Sequence, residues 1–229
     1  MYLIVIILIA VLSFLIWASA DIRSGIYIKT LCRKETNKKV VAITFDDGPD
    51  PCYTEQVLEV LDIHDVRATF FLIGKNAEAH KELARKIVKC GHTIGIHTYS
   101  HASFSPFFSF KRYNEEIVRT QEIIENIIHK KPRLFRPPFG VTNPTIAKAT
   151  RQLPVIGWSI RSLDTNSFLS REKICLSITK KVRNGDVILL HDRCKDSDIL
   201  TDAIITKLKE KGFEFKKIDE LFEIDAYDR

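Results

Sequence analysis

Two acids stand side by side in "TFDDGP" (residues 44–49), at the end of the apolar run "VVAITF" (40–45). Adjacent carboxylates closing a buried strand repel each other, so a chain that keeps Asp46 and Asp47 there calls for a compensating cation. The segment "HTYSH" offers a way to hold one: His97 and His101, at i and i+4, put two imidazoles on one side of a helical turn or tight loop. Asp47 is the expected third ligand. Two histidines and one carboxylate leave positions open for water and substrate, as a catalytic rather than a structural metal site requires. Asp46 is then placed to act as general base toward a water activated by that cation. His191, in "VILLHD" (187–192), is placed to give a proton to the leaving group. Arg136, which opens "RPPFG" (136–140), would orient Asp46, and a backbone N–H near Phe139 would face a developing oxyanion. The set suits hydrolysis of an amide or ester through a tetrahedral intermediate. It needs no covalent nucleophile, in keeping with the lack of a serine elbow or a reactive-cysteine context.

Each piece alone has a duller reading. Asp-Asp-Gly-Pro after a strand is commonly a turn with solvated acids. A histidine pair four apart is often structural, "RPPFG" is a stiff loop, and a strand-end histidine is often a satisfied core residue. What favours chemistry is that these pieces recur, in order, at the ends of successive strands.

The elements that must position them follow from the hydrophobic pattern. Short β-branched and aromatic runs, "VVAITF", "VRATFFLIG" (66–74), "HTIGIHT" (92–98), "RLFR" (133–136), "LPVIGWSI" (153–160), "DVILLHD" (186–192) and "FEFKKI" (213–218), read as strands. Helical patterns separate them at 54–64, 76–90, 111–130, 144–151, 170–183 and 198–211. The helix over 111–130 carries apolar residues at Ile117, Ile124 and Ile128. About seven strands alternating with helices mean an α/β protein with a parallel sheet, doubly wound or closed into a barrel. In such folds the carboxyl ends of the strands share one face, so Asp46, Asp47, His97, His101, Arg136, Asp164, His191 and Asp192 are expected to converge.

The chain has 229 residues, 45% of them hydrophobic, enough for one good core. Its 35 basic and 29 acidic residues are spread along the chain, which argues against a nucleic-acid binder and fits an anionic surface such as a cell wall or lipid headgroups. Five cysteines show neither a CxxC pair nor metal-type spacing. Tyr2 to Ala20 is uncharged and long enough to span a bilayer, so residues 1–20 read as a membrane anchor or signal segment. "ASA" before Asp21 looks like a cleavage site, but the stretch is long for a signal peptide and has no basic residue before it, so an uncleaved anchor is the expectation. Residues 21–39 then form a basic linker, and 40–229 the catalytic domain. Arg23, Lys29, Arg33 and Lys34 after the span would favour a cytoplasmic side by the positive-inside rule.

"TFDDGP", "HTYSH", "RPPFG", "VILLHD" and "ATFFLIG" (68–74), in this order, resemble the motifs of the polysaccharide deacetylases, the NodB-homology domain of carbohydrate esterase family four, over about residues 40–222. The resemblance implies a distorted (β/α) barrel of about seven parallel strands after the N-terminal helix. It implies a divalent metal, zinc or alternatively cobalt, and removal of acetyl groups from N-acetylated amino-sugar polymers such as peptidoglycan or chitin-like oligosaccharides, O-acetyl groups being an alternative. Residue by residue, Asp46 looks like the base, Asp47, His97 and His101 like the metal ligands, His191 like the acid, and Arg136 like the residue holding the base. Pro138, Phe139 and Leu189 look like substrate contacts. One motif departs from the pattern. The family typically carries two acids three residues apart followed by tryptophan, whereas "WSIRSLDTNSF" (158–168) has Arg161 for the first acid and Thr165 for the tryptophan. Asp164 is kept, and supports the histidine or the arginine; Trp158, Leu163 and Phe168 offer replacement apolar surface. Expected partners are therefore an acetylated polysaccharide and, through the first 20 residues, a membrane, with the domain extracytoplasmic. The alternatives are a catalytically silent carbohydrate binder on the same scaffold and a deacylase or amidase for another acyl substrate.

Overall fold

The computed structural model describes residues 2–228. Its centre is β1 (Val40–Asp46), flanked by strands on both sides and with all seven side chains buried because both faces of the sheet are covered. β2 (Thr69–Leu72) and β3 (Thr93–Ile96) extend the sheet one way. β5 (Val187–His191) and β4 (Ile160–Arg161) extend it the other, giving the order β3-β2-β1-β5-β4. β6 (Glu214–Phe215) pairs with the start of β1 through Val40 and Val41. Every ladder is parallel. The uninterrupted apolar reading of β1 and β5 is what burial on both faces requires.

Register does the positioning. Asp46 pairs in the ladder with His191 on one side and with Phe71 on the other, so an acid and an imidazole are brought level across two neighbouring strands. His97 follows the last residue of β3, and its N–H donates to the Leu72 carbonyl at 3.0 Å.

Six strands form, rather than about seven, and no continuous seven-stranded barrel ladder is seen among the described residues. "RLFR" makes only single bridges, Phe135 with Ile96 and with Val155, and "LPVIGWSI" is laddered only at its end. Arg136 explains the shortfall in part: its side chain takes up the carbonyls of Ile156 and Gly157, which a strand partner would otherwise use. The expected helix over 76–90 is two helices, α3 (Gly74–Ala79) and α4 (Lys81–Lys89), broken at His80.

α2 (Thr54–Ile63), α7 (Arg171–Lys181) and α8 (Ser197–Glu210) pack with α4 on one face of the sheet. They bury Leu58, Leu61, Ile174, Ile178, Ile204 and Leu208 against Ile43, Phe45, Ile188 and Leu190. Each such side chain contributes roughly 1.5–3 kcal/mol on burial. α5 (Phe110–Ile128) starts at Ser109, whose Oγ accepts from the Arg112 N–H, and stops where His129 turns left-handed at φ 55°. Its Tyr113 and Ile117 stripe packs on Phe135 and on Ile146 of α6 (Pro144–Ala149). A short α9 (Ile218–Phe222) covers the other sheet face.

α1 (Tyr2–Ala20) projects its apolar side chains outward; of these residues Ala18 is buried. Its mean hydropathy over an 18-residue window is 2.9, so it is long and apolar enough to cross a membrane. The residues after it do not trail free. Leu31 bridges to Ile156, Arg33 bridges to Asp186, and Ile22 is buried.

Candidate active site

The carboxyl ends of β1, β3 and β5 and the loops after them surround a cavity of about 220 Å³. Asp47, His97 and His101 meet there: the three ligand atoms lie within 4.8 Å of one another. Asp47 Oδ1 is 3.5 Å from His97 Nε2 and 3.4 Å from His101 Nε2. His97 Nδ1 sits 2.8 Å from the Arg136 carbonyl, an acceptor, so Nδ1 carries the proton and Nε2 presents its lone pair to the cavity. Burial, helped by the neighbouring His97, pushes the His101 imidazole down to about 4, which leaves it neutral. Asp47 Oδ1 is buried with no hydrogen-bond partner. An orphaned carboxylate oxygen facing two imidazole nitrogens fits a divalent cation, and the N,N,O set suits zinc. "HTYSH" reaches this geometry as a loop and not a helical turn: Thr98 and His101 have φ of 60° and 48°.

Asp46 is turned the other way. Its Oδ1 accepts from Arg136 Nη1 at 2.7 Å, while Oδ2 is 3.8 Å from His97 Nε2. Arg136 is fully buried, and each of its three side-chain nitrogens donates a hydrogen bond. Nη1 also donates to Thr44 Oγ1 at 2.8 Å, Nε to the Ile156 carbonyl at 3.2 Å, Nη2 to the Gly157 carbonyl at 2.9 Å, and Phe71 lies under the guanidinium. A charge this deep is tolerable only with its donors satisfied.

His191 faces the same cavity from β5. Asp164 grips it twice, accepting from His191 N–H at Oδ2 (2.7 Å) and from Nδ1 at Oδ1 (2.8 Å). Burial alone would lower the imidazole. The Asp164 hydrogen bond and charge, with Asp46 and Asp47 adding to them, outweigh it, and the pKa is raised. Asp164 shows the converse: burial raises it, but His191 and the Ser162 hydroxyl prevail and hold it below the usual carboxylate range.

Of the expected substrate contacts, Phe139 and Leu189 line the cavity, whereas Pro138 is buried and does not. Phe139 is 48% exposed, holds φ at 61°, and packs its ring 4.8 Å from that of His101. Leu163 and Trp158 also face the cavity, as do Arg161 and Thr165; Phe168 is outside it and almost wholly exposed. Left-handed φ values at Asp47, Thr98, His101, Phe139 and Leu163 ring the site, a concentration of backbone strain of the kind that functional loops carry.

Sequence reasoning passed over two residues, Arg193 and Thr44. Arg193 donates through Nε to Asp47 Oδ2 at 2.6 Å, fixing the oxygen that does not face the histidines. Thr44 relays Arg136 to the sheet, its own hydroxyl donating to the Ile188 carbonyl at 2.8 Å. Asp192 is fully buried behind Gly48, accepting from Thr54 Oγ1 at 2.6 Å, and burial pushes it up to about 7. Arg193 directly follows "HD" at a strand end, a position signal that was available. A larger hollow of about 720 Å³ beside α5 gathers Lys131, Arg133, Lys148 and Arg151 with no histidine. Converging carboxylates and imidazoles, not volume, select the smaller cavity.

Comparison with known proteins points the same way. The family model described as polysaccharide deacetylase matches residues 33–157. A peptidoglycan-N-acetylglucosamine deacetylase of Bacillus cereus is 35% identical over 193 residues, 82% of this chain and 70% of that protein. The peptidoglycan-N-acetylglucosamine deacetylase PgdA of Listeria monocytogenes is 33% identical over 87% of this chain, which spans only 42% of that relative's length. The crystal structure of the Bc1960 peptidoglycan N-acetylglucosamine deacetylase superposes with a TM-score of 0.80 at 33% identity, covering 86% of this chain and 94% of the other. The family match stops short of Asp164 and His191, so their pairing rests on geometry.

Proposed function

The chain belongs to the polysaccharide deacetylase family, and from that premise we propose that it hydrolyses acetyl groups from an N-acetylated amino-sugar polymer of the peptidoglycan type. The relatives named for peptidoglycan supply the substrate class. The observation that carries the reading is that Asp46, His191 and the Asp47–His97–His101 triplet face one cavity.

Asp47, His97 and His101 would hold a divalent cation, zinc in preference to cobalt, which would supply Lewis acidity and make a water easier to deprotonate. Asp46, anchored by Arg136, takes the proton from the water that attacks the acetyl carbon. His191 gives its Nε2 proton to the departing amine, with Asp164 on Nδ1 stabilising the imidazolium. The C–N bond breaks, acetate leaves, and the free amine stays on the sugar. A backbone N–H near Phe139, which lines the cavity, would be the donor to the carbonyl oxygen. On this reading α1 serves as an uncleaved membrane anchor and the domain lies outside the cytoplasm, where the peptidoglycan named for its relatives would be met.

The test is acetate release by the zinc-loaded, full-length protein from N-acetylglucosamine oligomers and from acetylated peptidoglycan, with Asp46→Asn as the control that keeps the metal site. Acetate that disappears with Asp46→Asn supports the proposal. Saccharide binding without acetate, indifferent to Asp46→Asn, would support a silent binder instead.

A further inference from the structure

The last turn of α1 is built into the wall of the catalytic domain. The Thr142 N–H donates to the Ser19 carbonyl at 3.0 Å, and its Oγ1 donates to the Ala18 carbonyl at 3.3 Å. Ser24 Oγ donates to the same Ala18 carbonyl at 2.8 Å, and the Leu31 N–H ties the next segment to the Val155 carbonyl at 2.9 Å. Backbone hydrogen bonds at this many points hold the end of the helix in one place relative to the site.

A second cavity, about 340 Å³, opens at this junction. One side of it is Trp17 and Ala20 of α1; the other is Phe139, Trp158 and Arg161, which also line the candidate catalytic cavity. The two hollows therefore share walls. Trp17 is half-exposed near the end of an apolar span, the place where tryptophan sits at headgroup depth in a bilayer. The second cavity then lies at the membrane surface, one side chain away from the acid, base and ligands.

Its charges are unequal in their commitments. Asp21 is taken up by Arg23, which donates to it through Nε and Nη2 at 3.0 Å each. Arg161 is exposed, and among the described residues it has no side-chain hydrogen bond, ion pair or ring contact. It is an uncommitted guanidinium on the wall common to both cavities, at the position where the family pattern carries an acid. A planar cation beside an apolar helix end suits phosphate attached to lipid.

Resting on the deacetylase reading and on α1 as anchor, we infer that the second cavity is a subsite for the phosphate of a lipid-linked saccharide. The acetamido sugar occupies the catalytic cavity, the phosphate meets Arg161, and the lipid chain runs into the bilayer beside α1. The substrate is thus presented from the membrane rather than from distant polymer.

The full-length, zinc-loaded protein in phosphatidylcholine nanodiscs tests this with three substrates: N-acetylglucosamine joined through phosphate to a polyprenyl chain, the same sugar phosphate without the chain, and a neutral N-acetylglucosamine oligomer. The lipid-linked substrate is expected to give the highest kcat/KM. Arg161→Gln, at an exposed position, should lower kcat/KM on the two phosphates about tenfold more than on the neutral oligomer, the scale of a charge-assisted contact. A neutral oligomer turned over as well as the lipid-linked sugar, or an Arg161→Gln loss equal on all three, would overturn the subsite. Equal use of the soluble sugar phosphate would overturn the lipid attachment. Acetate from none of the three would instead overturn the deacetylase reading beneath it.

Discussion

Arg136 Nη1 lies 2.7 Å from Asp46 Oδ1, with the guanidinium fully buried and the carboxylate nearly so. Burying an ion pair gains little stability over apolar residues of the same volume, so its presence here speaks for a role in the chemistry. Removing one partner is a different matter. Arg136→Met should destabilise the fold by about 3–5 kcal/mol, because Asp46 and the Ile156 and Gly157 carbonyls lose their partner together. Asp46→Asn keeps an acceptor for Arg136 but removes the counter-charge of its buried guanidinium, so it should cost stability too, though less than Arg136→Met because no carbonyl loses its donor, while abolishing acetate release. Denaturant melts beside activity assays separate the two, and a stable but inactive Arg136→Met would contradict the first expectation.

If His191 is the acid of the proposed reaction, the His191–Asp164 pair should set the alkaline limb of activity. His191 must be protonated to act as acid, and its pKa is raised in the folded protein, so it keeps its proton beyond the ordinary histidine range and loses it as pH climbs through the raised value. Asp164→Asn removes the charge and the ionic hydrogen bond and leaves burial opposed only by the weaker pull of the Asp46 and Asp47 charges. The high-pH limb of kcat/KM should then move to lower pH, by about one unit or more if the charged hydrogen bond is worth its usual 1.5–3 kcal/mol. An unmoved limb would mean that another group is the acid.

Much of this was legible in the chain, for a physical reason: parallel strands align their carboxyl ends, so polar residues ending apolar runs must meet. Asp46, His97 and His191 follow from that rule alone, and the ladder pairs Asp46 with His191. The seventh strand was not legible because "RLFR" has the composition of a strand, while its neighbours' carbonyls are claimed by the side chain of its own arginine. Composition also misled at 21–39, where basic residues suggested a linker. Leu31 and Ile22 in fact pack on the domain, a contact to Ile156 and Gly157 more than a hundred residues away. Arg193 escaped notice although it stands at a strand end after "HD", because that position alone names no partner for it; its distance to Asp47 does.

Metal dependence divides the ligands from their support. Chelation should remove activity, and zinc or cobalt should restore it. His97→Ala and His101→Ala should each prevent restoration at stoichiometric metal. Arg193→Gln touches no ligand nitrogen but frees Asp47 Oδ2, and loss of such a supporting contact typically weakens metal affinity about 10–100-fold. Zinc titration of the chelated protein reads this directly. Unchanged affinity in Arg193→Gln would show that Asp47 is oriented without it, for which the Asn76 amide on the Asp47 carbonyl is the remaining candidate.

The segment joining α1 to the domain is held by a backbone approach that tolerates no side chain. Gly185 sits at φ 75°, and a Cβ there would fall 1.8 Å from the Lys34 carbonyl oxygen. Lys34 N–H in turn donates to the Gly185 carbonyl at 2.9 Å, and Gly185 N–H to the Val40 carbonyl at 2.7 Å. Alanine at 185 must therefore displace the 33–34 segment as well as adopt an unfavourable φ. Gly212, at φ 78°, supplies the comparison: its nearest neighbour is the end of the Lys39 side chain at 3.8 Å, so alanine there meets the backbone strain alone. Gly212→Ala should cost about 1–2 kcal/mol, the penalty of a left-handed L-residue, and Gly185→Ala clearly more. If α1 is fixed to the cleft through this segment, limited proteolysis should also cut between residues 24 and 39 faster in Gly185→Ala than in Gly212→Ala. Equal stabilities and equal cleavage rates for the two variants would mean that the segment rests on the domain without being held by it.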